Sequence, residues 1–227
     1  ECALRYALYL FGTLLDPALV EEVVEGRGGD GSDDFVDLLA RGGAEGDEEA
    51  LKEIAYAANL AGKAIAITRT TGGHALSYKL GSLFRLPHGL ATAMVNKELY
   101  PVSVSHLRPE DEEDFRTLAH CLGAKDIEGG VTIYRAFLDK MDILPRKKQF
   151  FLENLDKKVL EEGIRKREKE GTLPKDLQTE IPEAEEALLE KAVVLLVHSV
   201  NQERMKNHPV TLSEKELDTL YRKILCM

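Results

Sequence analysis

Strand signals are nearly missing from this chain, and that restricts its fold more than any other feature. Only Ile65–Thr68 and Val102–Ser105 carry short β-like runs. Elsewhere apolar residues recur at the spacing that places them on one face of a helix. From Glu48 to Ile67 the residues are good helix formers, with Leu51, Ile54, Ala55, Ala58, Ala61 and Ile65 on a common face. The expectation is an all-α chain built as a helical bundle.

The most informative stretch runs from Ala61 to Pro101. Small residues, Ala57, Ala58, Ala61 and Gly62, let another helix or a cofactor approach closely. Gly72-Gly73 then interrupts regular geometry and brings backbone close to whatever lies beside it. His74 follows at once. A short helix is expected over Ala75–Leu80, with Gly81 as its stop and a loop over Ser82–Leu86. Pro87 favours a helix start, so His88 falls in the first turn of a helix running from Gly89 towards Tyr100 and ending before Pro101. A helix of about six residues rises roughly 9 Å, and a seven-residue loop spans up to roughly 23 Å, so the chain can return to place His88 beside His74.

Neutral imidazole is the commonest metal ligand, suited to zinc and iron alike. Two histidines fourteen apart match no general metal spacing, however, and a histidine beside glycines is ordinarily a hydrogen-bonded structural residue. On residue types alone both readings stand.

The segment GGHALSYKLGSLFRLPHGLATAM resembles the second signature of the iron-dependent (group III) alcohol dehydrogenases, in which a His-Ala pair is followed by a Pro-His-Gly turn. The resemblance implies the helical C-terminal domain of that family, a fold shared with dehydroquinate synthases. It also implies that His74 and His88 are metal ligands. Tyr78 stands where the family often has a third histidine near the nicotinamide and substrate. With Ser77 before it and Ala61-Gly62-Lys63-Ala64-Ile65 upstream, it looks most like the phosphonoacetaldehyde and hydroxyethylphosphonate dehydrogenase branch. Asn207-His208-Pro209-Val210, with a terminal helix after it, fits the same layout. A dehydroquinate synthase would carry a glutamate where this chain has Leu90, which places that reading second.

Two departures matter. The family completes its metal site with an Asp-x-x-x-His pair on an earlier helix, and no histidine precedes His74. The glycine-rich loop that cradles the dinucleotide in the family's N-terminal domain is absent too. The chain opens at Glu1 without methionine, within an apolar helix, so the expectation is one helical metal-binding domain over residues 1–227 whose N-terminal nucleotide-binding partner is missing.

The formal net charge of −10 argues against nucleic acid as a general partner, because phosphate binding needs a basic footprint. Three cysteines, Cys2, Cys121 and Cys226, form no paired spacing and suit a reducing cytoplasm. The apolar run Leu4–Leu15 is too short for a membrane span, carries Arg5 and lacks a signal-peptide cleavage pattern.

In order, the expected elements are a buried helix over Cys2–Leu15, a short one over Ala18–Glu25, and a mobile connection over residues 26–46 containing a helix over Phe35–Arg41. Asp30, Asp33, Asp34 and Asp37 lack calcium-loop spacing and read as solvated cap chemistry. After the central stretch, Val102–Arg108 is a link and Pro109–Leu122 a helix stopped by Gly123, with His120 on its outer side. Gly129–Met141 is a further helix. The charged segment Pro145–Glu170 reads as a solvated helical face. Residues 171–182 form a linker, Pro182–Ser199 a long apolar helix, and Ser213-x-x-Glu216 a capping box for the last helix.

The resemblance implies an NAD- or NADP-dependent alcohol dehydrogenase or aldehyde reductase using a divalent metal, iron or zinc, on a small-molecule substrate. Tyr78 would act as a catalytic residue, and a homo-oligomer is compatible with it. As an isolated chain it is expected to be inactive. The competing readings are a non-catalytic helical interaction module, its histidines structural, and a synthase-like lyase.

Overall fold

A computed structural model describes residues 70–174 and 180–227, together with positions 47–49, 52, 55, 56, 59, 62 and 63. The expected elements over Cys2–Leu15, Ala18–Glu25, residues 26–46 and Ile65–Thr68 lie outside the described residues. Within the expected helix Glu48–Ile67, positions 48, 49, 52, 55, 56, 59, 62 and 63 are helical.

The described residues form an all-α bundle. Its helices are α1 (Gly72–Phe84), α2 (His88–Ser105), α3 (Glu112–Cys121), α4 (Ile127–Met141), α5 (Lys148–Asn154), α6 (Lys157–Lys169), α7 (Glu185–His198), α8 (Gln202–Met205) and α9 (Glu214–Ile224). A 3-10 turn, Pro109–Asp111, leads into α3. No strand occurs among the described residues.

Helix α1 lies at the centre, packed against α2 along its length and touched by α5, α6, α7 and α8. Leu76, Leu80 and Phe84 on α1 are fully buried. Phe84 meets Phe151 of α5 edge to face, with ring centroids 5.3 Å apart. Helix α7 is apolar almost all round, with Leu188, Leu189, Ala192, Val193, Leu195 and Leu196 buried, as befits a helix enclosed on several sides. Helix α9 is the opposite case: its buried Leu217, Leu220, Tyr221 and Ile224 form one stripe. The expected capping box starts it, with Ser213 Oγ accepting from the Glu216 backbone N–H and Glu216 Oε2 accepting from that of Ser213. The Tyr221 hydroxyl crosses to donate to the Leu76 carbonyl oxygen at 2.9 Å, joining the last helix to the first.

Several boundaries differ from expectation. Helix α1 does not stop at Gly81; it continues to Phe84 and closes at Arg85, whose φ of 54° turns the following Leu86 N–H back onto the Gly81 carbonyl at 3.0 Å. Burial of Leu83 and Phe84 outweighs a glycine cost of about 1 kcal/mol. The expected loop over Ser82–Leu86 therefore shrinks to residues 85–87. Helix α2 begins at His88 and runs through Pro101 to Ser105, so the β-like run Val102–Ser105, expected as part of a link, is helical. Proline inside a helix removes one hydrogen bond and costs about 3 kcal/mol. Here the last turn buries Ser103 and sets Val104 against the core.

Helix α3 starts after the 3-10 turn and ends before Gly123, which sits at φ 82°. His120 is exposed, as expected. Helix α4 starts two residues earlier than expected because Asp126 caps it, accepting from the Gly129 N–H at 2.7 Å. Pro145–Glu170 divides into α5 and α6, with Arg165 paired to Glu161 on an exposed face of α6. Helix α7 begins at Glu185 rather than at Pro182 and ends at His198.

Candidate metal centre

The loop between α1 and α2 is short, so α2 runs back antiparallel along α1, with Ala91 against Gly81, Thr92 against Ser77 and Asn96 against Gly73, and the His88 ring reaches that of His74. His74 occupies the first turn of α1, is only 5% exposed, and faces the start of α2. His88 is the opening residue of α2 and is exposed. Their ring centroids lie 5.1 Å apart with the planes at 63°. The two imidazoles that are fourteen residues apart in sequence are neighbours in space.

Their backbones are tied together from below. The Ser77 hydroxyl bonds to the His74 carbonyl at 3.2 Å, and the Thr92 hydroxyl to the His88 carbonyl at 2.9 Å. The two hydroxyl oxygens face each other at 3.1 Å across the buried α1–α2 seam. Tyr78, one turn after His74 on the same face, lays its ring nearly flat on His88, with centroids 5.3 Å apart and planes at 12°. The Tyr78 side remains open, with 42% of the residue exposed.

The approach to α1 is packed tightly. A side chain at Gly73 would collide with the Asn96 amide of α2, and one at Gly72 would press on the His208 ring at 3.0 Å. His208 Nε2 pairs with the Ser103 hydroxyl at 3.0 Å. The terminal segment also reaches the site: Arg204 donates to Thr70 Oγ1 at 2.6 Å, and Asn207 donates to the Thr70 carbonyl at 3.2 Å. The Arg204 guanidinium lies over the Tyr78 ring, 5.0 Å from its centroid.

Electrostatics keep the inner imidazole neutral. Burial chiefly, then the neighbouring His88 and Arg204, lower the His74 pKa to about 4. His74 Nδ1 is buried and has no hydrogen-bond partner among the described residues. A neutral ring with an uncommitted nitrogen, next to a second imidazole, fits one side of a divalent metal site with nitrogen ligands. Among the described residues no group of three or more His, Cys, Asp or Glu converges at one point.

Sequence reasoning singled out His74, Tyr78 and His88, and the three stand in one contiguous cluster. It missed Arg204, Asn96 and the Ser77–Thr92 link. Arg204 sits in a short polar helix far along the chain and carries no local signal. Asn207-His208-Pro209 was legible only as a layout, yet it marks where the terminal segment meets α1.

Among the described residues no helix is long and apolar enough to cross a membrane. Among the described residues Cys121 and Cys226 form no disulfide. No curated protein sequence matches the chain at a significant level. Among solved structures it is similar to the iron-containing alcohol dehydrogenase from Thermococcus thioreducens, with a TM-score of 0.55 and 19% sequence identity. That match covers 99% of this chain and 48% of the other, so the chain spans about half the length of the relative; at this identity the likeness establishes the all-α fold. Residues 39–166, more than half of the sequence, match the C-terminal domain of the Fe-containing alcohol dehydrogenase family. With that match joined to the shared helical architecture, this chain belongs to the iron-containing alcohol dehydrogenase family and carries its C-terminal helical domain.

Proposed function

We propose that His74 and His88 supply two nitrogen ligands to one divalent metal, iron or zinc, in an NAD(P)-dependent alcohol dehydrogenase or aldehyde reductase. The observation that carries this reading is the 5.1 Å approach of the two rings, one buried and neutral, across the α1–α2 seam. When bound, the metal supplies Lewis acidity at the substrate's alcohol or carbonyl oxygen.

The chain's own residues hold the ligands and shape the approach. The His74 ring is fixed by burial in the first turn of α1, and the Ser77–Thr92 hydroxyls hold the spacing between the two helices. Tyr78 keeps its phenol at the open edge of the cluster, where a substrate polar group or the nicotinamide amide meets it.

In this reading the nucleotide-binding part and further ligands are not among the described residues, and the isolated chain binds metal weakly and does not turn over. A reducing cytoplasm suits cysteines that form no disulfide among the described residues. The test is to join this chain to a nucleotide-binding N-terminal half of the same family and follow NAD(P)H oxidation with small aldehydes. His74→Ala and His88→Ala should each lower kcat/KM by roughly a hundredfold or more, above the loss typical of an outer-shell partner. Full activity in either variant contradicts the proposal.

A further inference from the structure

His88 is exposed and begins a helix, yet it stands in a defined orientation, and the residues that fix it belong to distant parts of the chain. Its ring is backed by Tyr78, whose plane lies within 12° of its own. Tyr78 is in turn covered on its ring by the Arg204 guanidinium. Arg204 is fixed to Thr70 Oγ1, two residues before α1 begins, and Asn207 holds the Thr70 carbonyl. Arg204 and His88 thus both lie against the Tyr78 ring, 5.0 Å and 5.3 Å from its centroid, and Arg204 is held at the residue that leads into α1 and His74. The Arg204 guanidinium meets the Thr70 hydroxyl and the Tyr78 ring.

We propose that Arg204 is a positioning residue for the metal site, which acts through the Tyr78 ring to hold the His88 imidazole in the plane that faces His74. The inference rests on the metal reading above. It has a consequence with a definite sign. A guanidinium near a divalent cation repels it, so on charge alone Arg204→Met would tighten metal binding. A positioning role requires the reverse. The planar fork matters as well as the charge, because a lysine ammonium neither stacks on the ring nor presents a fixed fork to Thr70.

The experiment is a calorimetric Zn²⁺ titration of the full chain and of Arg204→Met, Arg204→Lys, Tyr78→Leu and Thr70→Val, each checked for an unchanged helical circular dichroism spectrum. Arg204→Met, Arg204→Lys and Tyr78→Leu should weaken Zn²⁺ binding about tenfold, as orienting partners of metal ligands do. Thr70→Val leaves the charge in place and frees only its anchor; it should weaken binding in the same direction. If Arg204→Met does not fold, Thr70→Val decides the question. Unchanged or tighter binding in Arg204→Met, or in Thr70→Val where it decides, overturns the inference. His74→Ala and His88→Ala run beside them report the metal reading separately. Their loss of binding, with Arg204→Met unaffected, defeats the positioning role alone, whereas binding indifferent to both histidines defeats the two together.

Discussion

Gly73 and Asn96 are fitted to each other so closely that a β-carbon at position 73 would fall inside the Asn96 side-chain oxygen. The contact joins the residue before His74 to the middle of α2. Gly73 is thus required for space, and its neighbour controls where the first turn of α1 can sit.

Gly73→Ala should therefore destabilise the fold by about 1–3 kcal/mol, the usual cost of overpacking. Asn96→Ser should recover part of that loss in the double variant, because the two residues share one contact. Urea denaturation of the four proteins in the cycle measures both effects.

Gly81 is the opposite case. It lies inside α1, and a β-carbon there would meet the Leu86 carbonyl oxygen at 3.4 Å and Ala91 at 3.7 Å, which is ordinary contact. Gly81→Ala should raise stability by about 0.5–1 kcal/mol, since it restricts the unfolded chain without a clash. The thermal midpoint reads the gain, and a loss would show that α1 needs flexibility at this position.

Thr92→Val removes one hydroxyl of the pair that bridges the His74 and His88 carbonyls while keeping shape. Ser77 still has the His74 carbonyl as a partner, so the expected cost is about 1 kcal/mol. A cost well above that would mean that Ser77 depends on Thr92 for its placement.

Acid should loosen the site from the terminal segment. Burial holds the His208 pKa down to about 4, against 6.5 in an unfolded chain. Between those values the unfolded state binds the proton and the folded state does not, so stability falls as pH drops from 6.5 towards 4 and levels off below. The full loss is up to about 3 kcal/mol for this group. His208→Gln should remove only its own share of the slope in urea midpoints measured between pH 7 and pH 4, because the His74 imidazole, also held down to about 4, contributes in the same window and in the same direction.

The helical class, the capping box of α9 and the exposed side of His120 were legible because each arises from a local pattern. The pairing of His74 with His88 became legible through its motif, since spacing alone leaves the ring positions open. Continuations and long-range contacts escaped. A glycine at 81 and a proline at 101 both signal a stop, and both are overridden by burial of the next residues along the helix: Leu83 and Phe84 in one case, Ser103 in the other. Arg204 reaches Tyr78 from the far end of the sequence, with no local pattern to announce it.

The central claim is that His74 and His88 share one metal ion, and imidazole ¹⁵N NMR of the full chain during a Zn²⁺ titration tests it most directly. The six histidines provide internal controls. The account predicts that the His74 and His88 resonances move together with a single midpoint while those of His106, His120, His198 and His208 stay in place. Movement of His88 alone, or of the surface histidines at the same midpoint, would contradict it.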